Sequence, residues 1–253
     1  MIICVDLGNT TTAFGVLDGL SVIGFWRIMT QERTSDEYGA IVKSLIEGCS
    51  QEIIPQRGAV CSVVPSETDE MADALSSTFG ITVSMIDSKT DCGIRILTDN
   101  PAEVGADRIA NAVGAYYEYG GPRIVVDAGT ATTFDYVSVN GDYCGGVIAP
   151  GIMAGAKDLW SRARMLPAVQ IRKPSKVIGK TTIECMQSGI LYGSIAQVEG
   201  IISKMWQELG GECGVVVTGG QAEVIRDGLS LDVLYDPHLT LKGIAYALDP
   251  TLR

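Results

Sequence analysis

The chain has 253 residues, of which 46% are hydrophobic and 30 are glycines, so it can bury a sizeable core and indicates a compact protein rich in turns. A net charge of −11 argues against a nucleic-acid partner, because the sequence offers no basic surface to phosphates. The seven cysteines include no C-x-x-C pair, and His238 is the only histidine, so a metal site of cysteines and histidines is disfavoured.

The first residues do not have the pattern of a signal peptide, because no lysine or arginine precedes Arg27 and Asp6 interrupts the apolar stretch. No run approaches the roughly 18–20 consecutive apolar residues that span a bilayer. The odd number of cysteines suits reduced thiols. These features predict a cytoplasmic protein.

Strands and helices are predicted to alternate along the first half. Three strands are expected at 2–6, 12–17 and 21–29. Next come a helix from a capping box at Thr34–Glu37 to about Cys49, a strand at 59–64, a helix at 65–78, a strand at 81–86 and a helix at 104–119. Gly120-Gly121-Pro122 then breaks the chain, which predicts one lobe at residues 1–119 and another at 120–253.

The second half repeats this order. Strands are expected after Gly121-Pro122, at 132–139 and at 143–148, the last two joined by an Asn140-Gly141 turn. Helices at about 151–162 and 181–207, a strand at 215–217 and a last helix near Leu241 follow. Both halves thus fit a βββ-helix-β-helix pattern, which predicts a duplicated α/β fold with a ligand in its cleft.

Two aspartate-led loops rich in glycine and threonine each follow a predicted strand. They are Asp6–Thr12 and Asp127–Thr133. Glycines let backbone N–H groups approach phosphate oxygens, threonine hydroxyls add donors, and a carboxylate at a strand end can hold a cation. One copy alone would also be ordinary turn chemistry. The pair predicts one fold unit used twice around a single nucleotide.

Other nucleotide and hydrolase signatures are missing. Gly179-Lys180-Thr181 imitates the end of a Walker A loop, but Pro174 stands where that motif needs its first glycine. No Gly-x-Gly-x-x-Gly follows a strand, which disfavours a Rossmann fold. With a single histidine, a hydrolytic triad is also disfavoured.

Several motifs occur in a fixed order along the chain. They are Asp6–Thr10, Glu32–Tyr38, Asn100–Arg108, Asp127–Thr132, Gly145-Gly146 with Pro150-Gly151, Gly179–Thr182 and Thr218–Gly220. Over essentially the whole length they resemble the type III pantothenate kinases, members of the acetate kinase/hexokinase/actin superfamily close to the Bvg accessory factor homologues. The resemblance implies a duplicated, ribonuclease H-like (actin/hexokinase-type) two-lobed α/β fold with mixed sheets and a central nucleotide cleft.

The resemblance also implies an activity. It is the ATP-dependent phosphorylation of pantothenate to 4′-phosphopantothenate, the first step of coenzyme A biosynthesis. It implies Mg²⁺, a monovalent cation (K⁺ or NH₄⁺), and a homodimer whose active site is shared across the interface. Two alternatives remain: a non-catalytic or regulatory nucleotide-binding homologue of the Bvg accessory factor type, and another small-molecule kinase on this fold.

Roles for single residues follow from the resemblance. The nucleotide would be bound by Asp6, Leu7, Gly8, Asn9, Thr10, Thr11, Thr12, Ala13 and Thr130. Asp6 would lie near Mg²⁺, and Asp127 would bind the monovalent cation. Pantothenate would be held by Gly105, Ala106, Asp107, Arg108 and, from the partner subunit, Thr182. Asp107 would be the catalytic proton acceptor.

These residue types suit the chemistry. Phosphoryl transfer passes through a loose transition state, so the protein mainly positions groups and neutralises charge. Asp107 can accept the proton of an attacking hydroxyl, and the guanidinium of Arg108 fits a carboxylate. From the sequence alone, the two could instead be a solvated pair in the first turn of a helix. Many family members carry an aromatic residue in the pantothenate pocket at the position of Thr98, so the shape of that wall stays open.

Overall fold

The computed structural model describes residues 1–163 and 165–253, which form two compact units. Unit 1 comprises residues 1–121, 137–145 and 238–253, and unit 2 comprises residues 122–136 and 146–237. These units are regions of dense internal contact, whereas the two predicted lobes follow from the repeated order of strands and helices in the sequence. The predicted lobe boundary between residues 119 and 120 therefore stays a prediction.

The predicted strands and helices are present, with ends that differ by two residues or fewer. The strands are β1 Ile2–Leu7, β2 Thr11–Asp18, β3 Ser21–Met29, β4 Arg57–Ser62, β5 Thr82–Ile86, β6 Arg123–Ala128, β7 Ala131–Val137, β8 Tyr143–Pro150, β9 Gly214–Thr218 and β10 Leu234–Tyr235. The helices are α1 Ser35–Glu47, α2 Pro65–Phe79, α3 Ala106–Tyr119, α4 Ile152–Arg162, α5 Thr182–Leu209, α6 Ala222–Arg226 and α7 Leu239–Leu248. The short elements β10 and α6 were not predicted.

The two sheets have the same strand order. The first runs β3-β2-β1-β4-β5, and the second, taken from its other end, runs β8-β7-β6-β9-β10. In the first sheet β2 pairs antiparallel with β1 and β3, whereas β4 pairs parallel with β1 and β5. In the second, β9 pairs parallel with β6 and β10. The repeated order confirms the predicted duplication and the mixed α/β fold.

Strand β1 is buried on both faces, as alternating side chains show. Cys4 packs in one core cluster with Ile109 of α3 and Ile244 of α7. Val5 packs in the other with Tyr38 of α1, to which Leu75 of α2 also belongs. A strand covered by helices on both sides holds the residues at its carboxyl end in a fixed place. Asp6 lies at that end.

Helix α1 begins where the sequence predicts. Thr34 accepts a hydrogen bond from the Glu37 amide, and the Glu37 carboxylate accepts one from the Thr34 amide, which completes the capping box. In unit 2, the long helix α5 packs Leu191, Ile195 and Ile202 against the β6 side chains Ile124 and Val126. None of the described helices combines the length and the apolar character that spanning a membrane requires.

Candidate active site

Thr30, which directly follows β3, fixes the first glycine-threonine loop at Asp6–Thr12. The Gly8 amide donates to the Thr11 carbonyl at 3.1 Å, which turns β1 into β2. The Thr30 hydroxyl donates to the Gly8 carbonyl at 2.7 Å and lies 2.9 Å from the Thr12 hydroxyl. The Thr30 amide also donates to the Thr10 carbonyl at 3.0 Å. Thr30 therefore preorganises this loop, a role that no pattern in the sequence indicated.

The residues expected to contact the nucleotide differ in exposure. Leu7, Thr12 and Ala13 are buried, so these residues offer little surface to a ligand. Asn9 is exposed, and its neighbours Gly8 and Thr10 are half-buried. The assignment of Asp6–Ala13 to ATP stays a prediction. Residues 8–11 of the turn are the accessible ones and would make the contacts with the nucleotide.

Unit 1 brings Asp6 and Asp107 close to one thiol. Asp6 pairs in register with Cys61, because β1 and β4 run parallel and end at the same edge of the sheet. Burial raises the pKa of the Cys61 thiol well above its usual value, and the charges of Asp6 and Asp107 raise it further. Cys61 is fully buried and belongs to the core cluster that also contains Cys4 and Ile109.

Asp107 lies in the first turn of α3, behind the N-cap residue Gly105. Its carboxylate accepts a hydrogen bond from the Arg108 amide at 2.8 Å. Burial raises the pKa of Asp107, an effect that the Arg108 amide and guanidinium partly oppose. A Cβ atom at position 105 would lie 2.6 Å from Asp107 Oδ1, so the glycine makes room for this carboxylate. A carboxylate with a raised pKa is a better proton acceptor than an ordinary one.

Arg108 and Thr98 lie near the start of β8. The guanidinium carbon of Arg108 is 5.8 Å from the ring centre of Tyr143, a fully buried residue that the sequence reasoning missed. The hydroxyl of Thr98 is buried without a hydrogen-bond partner in the part of the chain that the structure describes. Its methyl group lies 3.8 Å from the place of a Cβ at Gly145. Thr98 thus places a buried polar atom beside the start of β8.

Unit 2 repeats the arrangement around Asp127. This residue pairs in register with Thr218 of β9, as Asp6 pairs with Cys61 in unit 1. Gly219 has φ +98°, and a Cβ there would lie 2.3 Å from Asp127 Oδ1, so only glycine suits the position. The turn to β7 is closed by the Gly129 amide, which donates to the Ala131 carbonyl at 2.9 Å. Thr130 is exposed on this turn.

The described residues contain no group of three or more histidine, cysteine or acidic side chains that could hold a metal ion. A cation bound by Asp6 or by Asp127 would therefore take its other ligands from backbone oxygens, water or a phosphate. That donor set suits the hard cations Mg²⁺ and K⁺.

Thr182 begins α5 in unit 2, whereas Asp107 belongs to unit 1. The Glu184 carboxylate accepts hydrogen bonds from the Lys180 amide at 2.8 Å and the Thr181 amide at 3.1 Å. A carboxylate thus occupies the amides that a Walker A loop would offer to phosphate, which agrees with the rejection of that motif. Thr182 itself is exposed beside a groove of about 440 Å³ between α4 and α5.

Comparison with known proteins identifies the family. The sequence model of the family described as type III pantothenate kinase matches residues 2–204. The chain is 45% identical over 247 residues to the type III pantothenate kinase of Agathobacter rectalis, which covers 96% of this chain and 95% of that protein. The chain belongs to the type III pantothenate kinase family. A second member, from Moorella thermoacetica, is 43% identical over 246 residues, or 96% of this chain and 97% of that protein.

Solved structures agree with the fold expected of type III pantothenate kinases. A Baf family protein from Campylobacter jejuni matches with a TM-score of 0.60 at 16% identity, covering 98% of each chain. The ROK hexokinase from Thermus thermophilus matches with a TM-score of 0.51 at 14% identity, covering 97% of each chain. At these identities the likeness concerns the fold alone, and it confirms the predicted hexokinase-type architecture.

Proposed function

We propose that this member of the family transfers the γ-phosphoryl group of ATP to the primary hydroxyl of pantothenate, giving 4′-phosphopantothenate in the first step of coenzyme A biosynthesis. The observation that carries the proposal is that the buried carboxylate of Asp107 and the carboxylate of Asp6 at the end of β1 both act on the thiol of Cys61, whose pKa is raised by burial and by these two charges. Retention of Asp6, Asp107, Arg108 and Asp127 favours a kinase over the regulatory alternative. We also retain the predicted cytoplasmic location.

The test is a measurement of ADP release by the purified protein with Mg²⁺, K⁺ and ATP. We expect ADP to form only when pantothenate is added. Equal ADP release with other small alcohols would favour another kinase, ADP release without any alcohol would indicate ATP hydrolysis and contradict the proposal, and no release would favour the regulatory alternative.

In the proposed reaction the pantothenate oxygen forms a bond to the γ-phosphorus while the bond from that phosphorus to the β,γ-bridging oxygen breaks. The hydroxyl proton passes to Asp107, and ADP leaves with the bridging oxygen. Deprotonated Asp107 is held at the N-terminus of α3 by the Arg108 amide, so its oxygen keeps one orientation. Arg108 would bind the carboxylate at the other end of pantothenate.

The nucleotide would lie on the two glycine-threonine turns, with Asp6–Ala13 and Thr130 as its contacts. Thr30 supports this role because it holds the carbonyls of Gly8 and Thr10 and so fixes the turn before any ligand binds. Asp6 would hold Mg²⁺ and Asp127 a monovalent cation. The cations supply the positive charge that offsets phosphate charge when they are bound. This matters in a protein whose own net charge is −11.

We further propose a homodimer that shares its active sites through unit 2. Large apolar side chains are exposed there on β8, α4, α5 and the segment between the helices. They include Ile148, Leu159, Met165, Val177, Ile178 and Ile183. Exposed apolar side chains on neighbouring elements support an interaction surface in this part of unit 2. Thr182 lies beside Ile183, so a partner that covers this face would meet it.

Mixing two inactive chains tests the shared site. An Asp107→Asn chain and a Thr182→Arg chain are each expected to be inactive. If sites are shared, a mixed dimer gathers both lesions in one site and leaves the other intact, which restores up to half the wild-type activity. If the mixed chains exchange subunits and recover no activity, the shared-site proposal is wrong.

A further inference from the structure

The ring of Tyr143 lies against the guanidinium of Arg108. The distance of 5.8 Å from the guanidinium carbon to the ring centre is within the range of a cation–π contact. Tyr143 is fully buried and Arg108 is half-buried, so bulk water screens the contact less than it would at the surface. A guanidinium can stack on an aromatic ring and still donate hydrogen bonds from the N–H groups at its edge.

The backbone of Tyr143 is fixed on both sides. Its amide donates to the Arg95 carbonyl at 2.8 Å, and its carbonyl accepts from the Leu97 amide at 2.8 Å. The preceding residue, Asp142, forms a two-point ion pair with Arg95, at 2.6 Å to Nε and 2.8 Å to Nη2. The ring therefore cannot shift along the strand without breaking these four bonds.

The tip of the β7–β8 hairpin also rests on α3, the helix that carries Arg108. Gly141 has φ +86°, and a Cβ there would lie 2.7 Å from the ring of Tyr116. The glycine lets the turn lie directly on the helix. Tyr143 and Arg108 thus keep a fixed relative position, because the hairpin that carries Tyr143 and the helix that carries Arg108 also touch at Gly141 and Tyr116.

We infer that Tyr143 is a positioning residue that orients the Arg108 guanidinium toward the carboxylate of the substrate. This inference rests on the proposed function, in which Arg108 binds the pantothenate carboxylate. The ring acts through its electron-rich face, so its effect should depend on that face and not on its volume or its hydroxyl. It should also be confined to substrates that carry a carboxylate.

The experiment compares two rings of nearly the same shape. One variant is Tyr143→Phe, and the other carries pentafluorophenylalanine at position 143, which keeps the ring but reverses the charge distribution on its face. KM and kcat are measured for pantothenate and for pantothenol, a neutral analogue with a hydroxymethyl group in place of the carboxylate. The same pair of replacements at Tyr117, whose ring packs against Tyr116 and Tyr246, is the control.

We expect the fluorinated ring to raise KM for pantothenate roughly 2- to 30-fold over Tyr143→Phe, the range that a cation–π contact supports. The kcat value and the KM for pantothenol should change little, and the control at Tyr117 should show no difference. In an Arg108→Gln background the two rings at position 143 should give the same KM. Thermal unfolding of each variant checks that it folds, because the fluorinated ring is somewhat larger than the phenyl ring at this fully buried position.

Equal KM values for the two rings, or parallel changes for pantothenate and pantothenol, would overturn the inference. Turnover of pantothenate by the wild-type protein tests the proposed function by itself, and the Arg108→Gln variant separates a wrong role of Tyr143 from a wrong role of Arg108. If it raises the pantothenate KM while the two rings behave alike, only the role of Tyr143 is wrong. If it leaves the pantothenate KM unchanged, the proposed role of Arg108 is wrong and the inference falls with it.

Discussion

Replacing Gly105 by alanine should displace the carboxylate of Asp107, the proposed proton acceptor, without unfolding the protein. A Cβ at position 105 would lie 2.6 Å from Asp107 Oδ1, and an ordinary contact begins near 3.4 Å, so the carboxylate must retreat by roughly 0.8 Å. Misplacement of a reacting group by about 1 Å can cost ~10²-fold in rate. We therefore expect Gly105→Ala to lower kcat about 100-fold.

The stability of this variant should change little. Gly105 has φ −58° and ψ 139°, a conformation that alanine adopts without strain. Alanine restricts the unfolded chain, which stabilises the fold by about 0.4–1 kcal/mol. It is also a poorer N-cap than glycine by a comparable amount, about 0.5 kcal/mol. The two effects nearly offset, so a large loss of activity would not reflect unfolding.

Steady-state rates of ADP release and thermal unfolding measure the two effects. Gly200→Ala, at an exposed helical glycine whose added Cβ meets nothing, is the matched control and should keep full activity. If the loss acts through Asp107, Gly105→Ala should have no further effect in an Asp107→Asn background. A near-wild-type kcat for Gly105→Ala, or an equal loss in both backgrounds, would refute the reasoning.

Three more predictions follow from the site. Asp107→Asn should lower turnover by ~10²–10⁴-fold and yet stabilise the protein at neutral pH. Burial raises the pKa of Asp107 in the folded state, so the stability of the wild-type protein falls as the pH rises from 3.8 through that raised value. Equal stabilities of the two proteins at pH 7 would contradict this. Activity should depend on K⁺ or NH₄⁺, and Asp127→Ala should weaken that dependence. Equal rates of the wild-type protein in KCl and in choline chloride at constant ionic strength would refute the role of the cation. Thr98→Val should raise the unfolding free energy by about 1–3 kcal/mol because it removes a buried hydroxyl without a partner. The control Thr240→Val, which breaks a 2.7 Å bond to Asn111, should lower it, and a less stable Thr98→Val protein would show that the hydroxyl is satisfied.

The fold could be predicted where short-range patterns determine structure. The capping box at Thr34–Glu37 sets the start of α1 through contacts three residues apart. The doubled aspartate loops revealed a repeat that the equal strand orders confirm. By contrast, α7 packs on α3 in unit 1 although it follows the strands of unit 2 in sequence. An apolar helical pattern does not say which sheet the helix covers, so this packing could not be foreseen.

Some residues of the candidate site could likewise be predicted from the sequence, and others could not. Asp6, Asp107 and Asp127 stand out in the sequence because each belongs to a motif. Thr30 supports the first loop from 22 residues beyond Gly8, and Tyr143 contacts Arg108 across 35 positions of sequence. Contacts over such separations depend on strand pairing, which a single sequence does not specify.

The most direct test of the central claim is the structure of the product. Purified wild-type protein and its Asp107→Asn variant are incubated with ATP, Mg²⁺, K⁺ and pantothenate, and the products are analysed by mass spectrometry and phosphorus NMR. We predict that wild-type protein yields pantothenate phosphorylated on its primary hydroxyl, with one ADP for each product, and that the variant yields almost none. A phosphate on the secondary hydroxyl, ADP without phosphorylated pantothenate, or an equally active variant would contradict the account.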